Sequence, residues 1–181
     1  MADDFTSIDY LINGNLRQQQ AYKVLTTHRI MERLASYQPI LVGTIPLAID
    51  IESSDLDIVC CNPDPMVFST HLADSFAHYE RFIIETKSFK ERTTVICRFI
   101  VEDFPVEIFG QDVPSTQQEA FIHLMNEKLI LLQHGPEFRK EITRLKKAGM
   151  KTEPAFALLL GLQGDPYQAM LRINSNSSTE A

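Results

Sequence analysis

Asp55-Leu56-Asp57-Ile58-Val59 sets two carboxylates two residues apart in an apolar run. On a strand such residues share a face, because successive side chains alternate sides. Like charges that close repel and raise each other's pKa unless a cation stands between them. The pair therefore asks for a metal, and a third carboxylate on a neighbouring strand would complete the site. Glu107 is the candidate: it lies between Val106 and Ile108, so if those two enter a core it faces the other way. Asp55, Asp57 and Glu107 would then offer three hard oxygen donors on rigid strands. Mg²⁺ prefers that set and keeps positions open for water and substrate phosphates. Two ions held there would bind phosphates, stabilise a leaving pyrophosphate and lower the pKa of an attacking hydroxyl.

Gly43-Thr44 adds a second component. After a strand, a glycine lets backbone N–H groups approach a phosphate closely, and Thr44 brings a hydroxyl. Ser53 and Ser54 could serve the same end, or cap the turn into the next strand. A lone Asp-x-Asp is more often a solvated turn, and Glu107 alone could be an exposed residue on an edge strand. His123 and Glu127 are four apart on a helix and could share a metal. Without a second histidine, a surface pair or a satisfied core histidine is the commoner arrangement, and His71 and His78 read likewise. Arg98 interrupts an apolar strand; it meets a phosphate, or, as is commoner, lies on the solvent-facing side or pairs with a carboxylate such as Glu107.

The whole chain bounds these readings. Its 181 residues are 44% hydrophobic and 23% charged, as expected of one domain, or a domain with a helical appendage, around a real core. No apolar run approaches the ~20 residues of a membrane span, and the acidic start is unlike a secretory signal, so the expected location is cytoplasmic. Cys60, Cys61 and Cys97 read as buried thiols in a reducing compartment. A net charge of −7 argues against long nucleic acid as partner, although a metal can still carry the charge of a small nucleotide. Basic residues cluster at Lys87, Lys90 and Arg92, and from Arg139 to Lys151; the second cluster reads as the solvated face of a helix.

The elements that must position these groups follow in order. Asn15 caps a helix from Leu16 toward Tyr37, stopped by Pro39. Ile40 to Gly43 and Asp55 to Cys61 read as strands. Phe68, Leu72 and Phe76 mark a helix, and Phe82–Thr86, Thr93–Val101 and Val106–Phe109 read as strands. Ser115 with Gln118 forms a capping-box pattern opening a helix that closes at Gly135-Pro136. Helices then start near Glu137, Thr152 and Asp165. The result is an α+β fold: a small mixed β-sheet with flanking helices and a C-terminal helical bundle. The expected divisions are 1–112, an α/β core with its N-terminal helix; 113–173, helices packed on that core; and 174–181, a polar disordered tail.

Gly43-Thr44, ten residues, Asp55-Leu56-Asp57-Ile58 and a later Glu107 resemble the signature of the polymerase-beta-type nucleotidyltransferase superfamily. Over nearly the whole chain, in "NGNLRQQQAYKVL", "PILVGTIPLAIDIESSDLDIVC", "FPVEIFGQ" and "KTEPAFALLLGLQGDPYQAML", the sequence resembles a bacterial domain-of-unknown-function family within it. The resemblance implies transfer of a nucleoside monophosphate from an NTP to an acceptor hydroxyl, with release of pyrophosphate. Asp55 and Asp57 would coordinate two Mg²⁺ or Mn²⁺ ions. Glu107 would hold the catalytic ion and help remove the acceptor's proton. Gly43 and Thr44 would receive the triphosphate, with Ser54 as a further phosphate-binding candidate from its position rather than from the resemblance. The acceptor is unknown, with a small molecule or protein favoured over long nucleic acid, and a homodimer is compatible. Two departures stand out. Thr44 replaces the usual Ser or Gly. No basic residue lies between Ile45 and Ser54, where Asp50 and Glu52 stand instead; Lys87, Lys90, Arg92, Arg17 or Lys23 could compensate. The alternative is a non-catalytic member that binds a nucleotide or a protein.

Overall fold

A computed structural model describes residues 4–173. Five strands form one mixed sheet: β1 (Ile40–Val42), β2 (Leu56–Cys61), β3 (Glu80–Phe89), β4 (Arg92–Val101) and β5 (Phe104–Gln111), ordered β1-β2-β5-β4-β3. Strands β2 and β5 run parallel at the centre and every other pairing is antiparallel. Glu107 therefore sits on a central strand. A parallel neighbour needs a crossover, and helix α3 (Pro65–Phe76) and the β3–β4 hairpin supply it. Asp64 caps α3 by accepting from the Met66 and Val67 amides.

Strand alternation sorts the sheet into two faces. Leu56, Ile58, Val106, Ile108, Val95, Cys97 and Phe99 enter one core with α3 and helix α1 (Leu16–Thr27). Val42 and Val59 enter a second core under helices α4 (Glu119–Lys147), α5 (Thr152–Leu160) and α6 (Pro166–Leu171). The mixed sheet with flanking helices and C-terminal helices expected from the sequence is thus present. All three cysteines are free thiols. Burial pushes the Cys97 thiol up to about 12.

Local expectations hold or fail for definite reasons. Asn15 and Gln18 form a reciprocal capping box at the start of α1. The helix expected to reach Tyr37 instead stops at Thr27, and a short helix α2 (Ile30–Arg33) follows Arg29, whose φ is +54°. His28 is tied to the Tyr79 hydroxyl at 3.0 Å and to Glu102 at 3.1 Å, and the turn lets Ile30 and Leu34 bury. Ser115 and Gln118 make no capping box. Gln118 spends its side-chain amide on the Cys60 and Val113 carbonyls, and α4 begins after it. The break at Gly135-Pro136 is present as a kink, with Gly135 at φ +79°. The basic cluster beyond it is only partly a solvated face. Lys140 and Arg144 pair with Glu137 and Glu141 in solvent, but Lys146 is buried and Arg139 donates to the Leu47 carbonyl. Residues 174–181 lie outside the described residues.

The sheet's first face leaves no room at Gly110, where a Cβ would collide with the ring of the fully buried Phe68. Gly110→Ala is expected to destabilise by about 1–3 kcal/mol. That corresponds to roughly 2–4 °C in melting temperature per kcal/mol for a chain of this size. Adding Phe68→Leu should recover part of the loss. Strictly additive effects in a thermal-melt double-mutant cycle would contradict the contact.

Candidate active site

A cleft of about 1230 Å³ opens between the sheet's second face and the C-terminal helices. Asp55 and Asp57 line it from β2 and the residue before it, and Glu107 from β5. Asp57 and Glu107 are direct partners in the parallel register, so alternation puts them side by side. As expected, Val106 and Ile108 are buried on the opposite face.

Gly43 follows β1 at φ +78°, a left-handed conformation that favours glycine. A Cβ there would collide with Asp57 Oδ2, so the glycine leaves a cradle open over that carboxylate. The loop after it is well tied. The amides of Ala48 and Ile49 donate to the carbonyls of Ile45 and Thr44. Gln18 on α1 donates to the Ile45 and Pro46 carbonyls at 2.9 and 3.2 Å. Ser54 is buried, accepts from the Ile51 amide at 2.9 Å and bonds the Thr44 hydroxyl at 3.2 Å, so its hydroxyl caps the turn. Asp50 and Glu52 do not line the cleft.

Arg98 pairs with a carboxylate. It stands opposite Glu107 in the register, donates from Nε to Glu107 Oε2 at 2.6 Å, and from Nη1 to Glu85 at 3.0 Å. Lys87 also holds Glu85, at 2.8 Å. Arg17 and Lys23 lie away from the cleft, and Arg17 stacks on Phe104 with its guanidinium 3.7 Å from the ring centroid. Lys90 and Arg92 do line the cleft, Lys90 paired with Glu119 at 2.6 Å.

The opposite wall holds groups that the sequence did not single out. Lys146 is 6% exposed and lines the cleft. Burial pushes its ammonium down to about 8, against the opposing pull of Glu127, Asp50, Asp57 and Glu153. Its place four residues beyond Ile142 put it on the buried stripe of α4, a signal its charge concealed. Glu153, in the first turn of α5, carried no local signal. His123 and Glu127 are both buried rather than at the surface. Burial lowers the His123 imidazole and raises the Glu127 carboxyl well above its usual range. Among the described residues, the group of three whose ligand atoms all lie within 4.8 Å of one another is His123, Glu127 and Glu153.

A divalent cation fits the strand carboxylates on two grounds: the donors are hard oxygens, and Gly43 leaves space at Asp57 Oδ2. Burial above all, then Asp55 and Glu107, pushes the Asp57 carboxyl up to about 8, with Lys146 opposing. The folded site thus holds a proton or a cation where a solvated aspartate would hold neither.

The profile of the family described as "Domain of unknown function (DUF4269)" matches residues 23–173. No curated protein sequence matches the chain. Among solved structures, the GLD-2/RNP-8 complex aligns over 84% of this chain and 57% of that one, at 13% identity and a TM-score of 0.50. The Cid1 poly(U) polymerase with MgGTP bound aligns over 71% and 41%, at 9% identity and a TM-score of 0.51. A cytoplasmic RNA terminal U-transferase aligns over 78% and 45%, at 11% identity and a TM-score of 0.51. At these identities the likeness shows a nucleotidyltransferase fold. The chain spans between 41% and 57% of the length of these three.

The raised Asp57 pKa sets a pH dependence. The unfolded chain releases this proton near 3.8 and the folded chain only near 8. The carboxyl's contribution to stability is therefore full below the lower value and lost as pH rises through the upper one. In chelator, the melting temperature of wild type should fall relative to Asp57→Asn between those limits, leaving the variant several degrees more stable at the upper end. A pH-independent difference would contradict the shift.

Proposed function

The chain belongs to the DUF4269 family of unknown function, and we propose that it is a metal-dependent nucleotidyltransferase, moving a nucleoside monophosphate from an NTP to an acceptor hydroxyl. The observation that carries this reading is the register of Asp57 with Glu107 beneath the Gly43 cradle. Asp55, Asp57 and Glu107 would hold two Mg²⁺ or Mn²⁺ ions. Divalent ions there, when bound, supply positive charge to the triphosphate and acidify an acceptor hydroxyl.

The remaining work falls to the chain. The turn at Gly43-Thr44 offers backbone N–H groups to phosphate oxygens. Lys146, facing the carboxylates across the cleft and making no direct ion pair among the described residues, supplies the cation missing between Ile45 and Ser54. The acceptor oxygen forms a bond to the α-phosphorus as the bond to the pyrophosphate oxygen breaks, and the acceptor's proton passes to Glu107. Arg98 positions that carboxylate from the side.

For the acceptor, the net charge of −7 supports a small molecule or a protein over long nucleic acid. Against it stand the RNA terminal U-transferase and the poly(U) polymerase among the structural neighbours, so a short RNA belongs in any acceptor panel. One observation favours a second reading, a non-catalytic nucleotide- or protein-binding member: Arg98 already neutralises Glu107 at 2.6 Å.

Labelled NTPs incubated with Mg²⁺ and an acceptor panel should give transfer in wild type. Asp55→Asn and Glu107→Gln should lower it by roughly 100-fold or more, the upper end of what even outer partners of metal ligands cost. Lys146→Met should weaken NTP binding about tenfold, the worth of one charge-assisted contact. Mg²⁺-dependent NTP binding that survives Asp55→Asn would remove the metal role. Binding without transfer to any acceptor would favour the non-catalytic member.

A further inference from the structure

His123 and Glu127 are one turn apart on α4, so they share a face of that helix. Glu153 reaches the same point from the first turn of α5, after the short connection that begins at Ala148. One ligand atom from each lies within 4.8 Å of the other two. His123 is 8% exposed and Glu127 3% exposed. Neither is hydrogen-bonded or ion-paired among the described residues, and His123 Nδ1 is fully buried without a partner. Buried polar groups are ordinarily satisfied, and a buried imidazole nitrogen left without a partner beside a buried carboxyl group is costly. Packing alone gives no account of it, since apolar residues of similar size would fill the space at less cost.

We propose that His123, Glu127 and Glu153 form a binding site for a first-row divalent transition cation, separate from the strand carboxylates and on the opposite wall of the cleft. One imidazole nitrogen and two carboxylate oxygens suit Zn²⁺ or Mn²⁺, and the imidazole selects against Mg²⁺ and Ca²⁺, which take oxygen. Three protein ligands leave a coordination position open, and all three residues line the cleft, so that position faces its interior. The cation would tie α4 to α5 and give the cleft a Lewis-acidic point on its helical wall. Lys146 is close enough to Glu127 to interact with it, yet makes no direct ion pair that would occupy the oxygens. The site does not depend on the nucleotidyltransferase reading, because it shares no residue with Asp55, Asp57 and Glu107.

The test is calorimetric titration of the chelator-stripped full chain with Zn²⁺ in excess Mg²⁺, on wild type and three variants. Wild type and Asp55→Asn should each bind one Zn²⁺ per chain with equal affinity. His123→Ala and Glu153→Gln should bind at least tenfold more weakly, since roughly that much is lost when even an outer partner of a ligand is removed. Glu153 is only part-buried, so its variant keeps the test decisive should His123→Ala fail to fold. The proposal is overturned if wild type binds no stoichiometric Zn²⁺, or if Glu153→Gln binds as wild type does. Loss in Asp55→Asn with retention in Glu153→Gln would overturn it too, by moving the ion to the strand carboxylates.

Discussion

Three carboxylates share one face of a sheet whose other face is a hydrophobic core, and that placement is an electrostatic debt the rest of the structure must settle. Asp57 is largely surrounded by protein, with Asp55 two residues before it and Glu107 beside it in the register. Water cannot screen such a group fully, so protons, arginine, lysine or metal must compensate. The chain uses several of these at once. Arg98 takes Glu107, Lys146 approaches Asp57 from the helical wall, and Gly43 clears space at Asp57 Oδ2. A sheet designed for stability alone would carry valine at those positions; strain of this kind is retained where a ligand relieves it.

The fold makes the debt bearable by rigidity. The first core, running from Leu56 and Ile58 through Val106 and Ile108 to Cys97 and Phe99, fixes the strands that carry the acids. Gln18 extends that rigidity outward: one amide group anchors the loop after Gly43 to the first helix, while its oxygen completes the cap at Asn15. The long chain of contacts means that the cradle over Asp57 is set by residues far from it in sequence. The second core does less, and leaves the cleft open where α4 and α5 stand off the sheet.

Much of this was legible in the sequence because it rests on alternation. The face shared by Asp55 and Asp57 and the reversal between Val106, Glu107 and Ile108 need only a period of two; the partner of Arg98 depends on the cross-strand register that sets it opposite Glu107. What was not legible depends on contacts far apart in sequence or on side chains turned to a second use. Nothing near Arg29 announces a left-handed residue, because the break is set by His28 reaching Tyr79 and Glu102. Gln118 fits a capping box, yet its amide is spent on the Cys60 carbonyl, 58 residues away. Lys146 sat in a basic run, and its charge concealed the helical spacing from Ile142 that places it on the buried stripe of α4. His123 and Glu127 had the spacing of a ligand pair, while the Glu153 that joins them lies on another helix.

The central claim is that Asp57 sits in an electrostatic well which a divalent cation relieves. Carboxyl-labelled NMR, following the Asp57 side chain across pH with and without Mg²⁺, reads that well at the atom concerned. The account predicts titration near 8 in chelator and, with saturating Mg²⁺, displacement to well below that value. Titration in the ordinary aspartate range, unmoved by Mg²⁺, would contradict it.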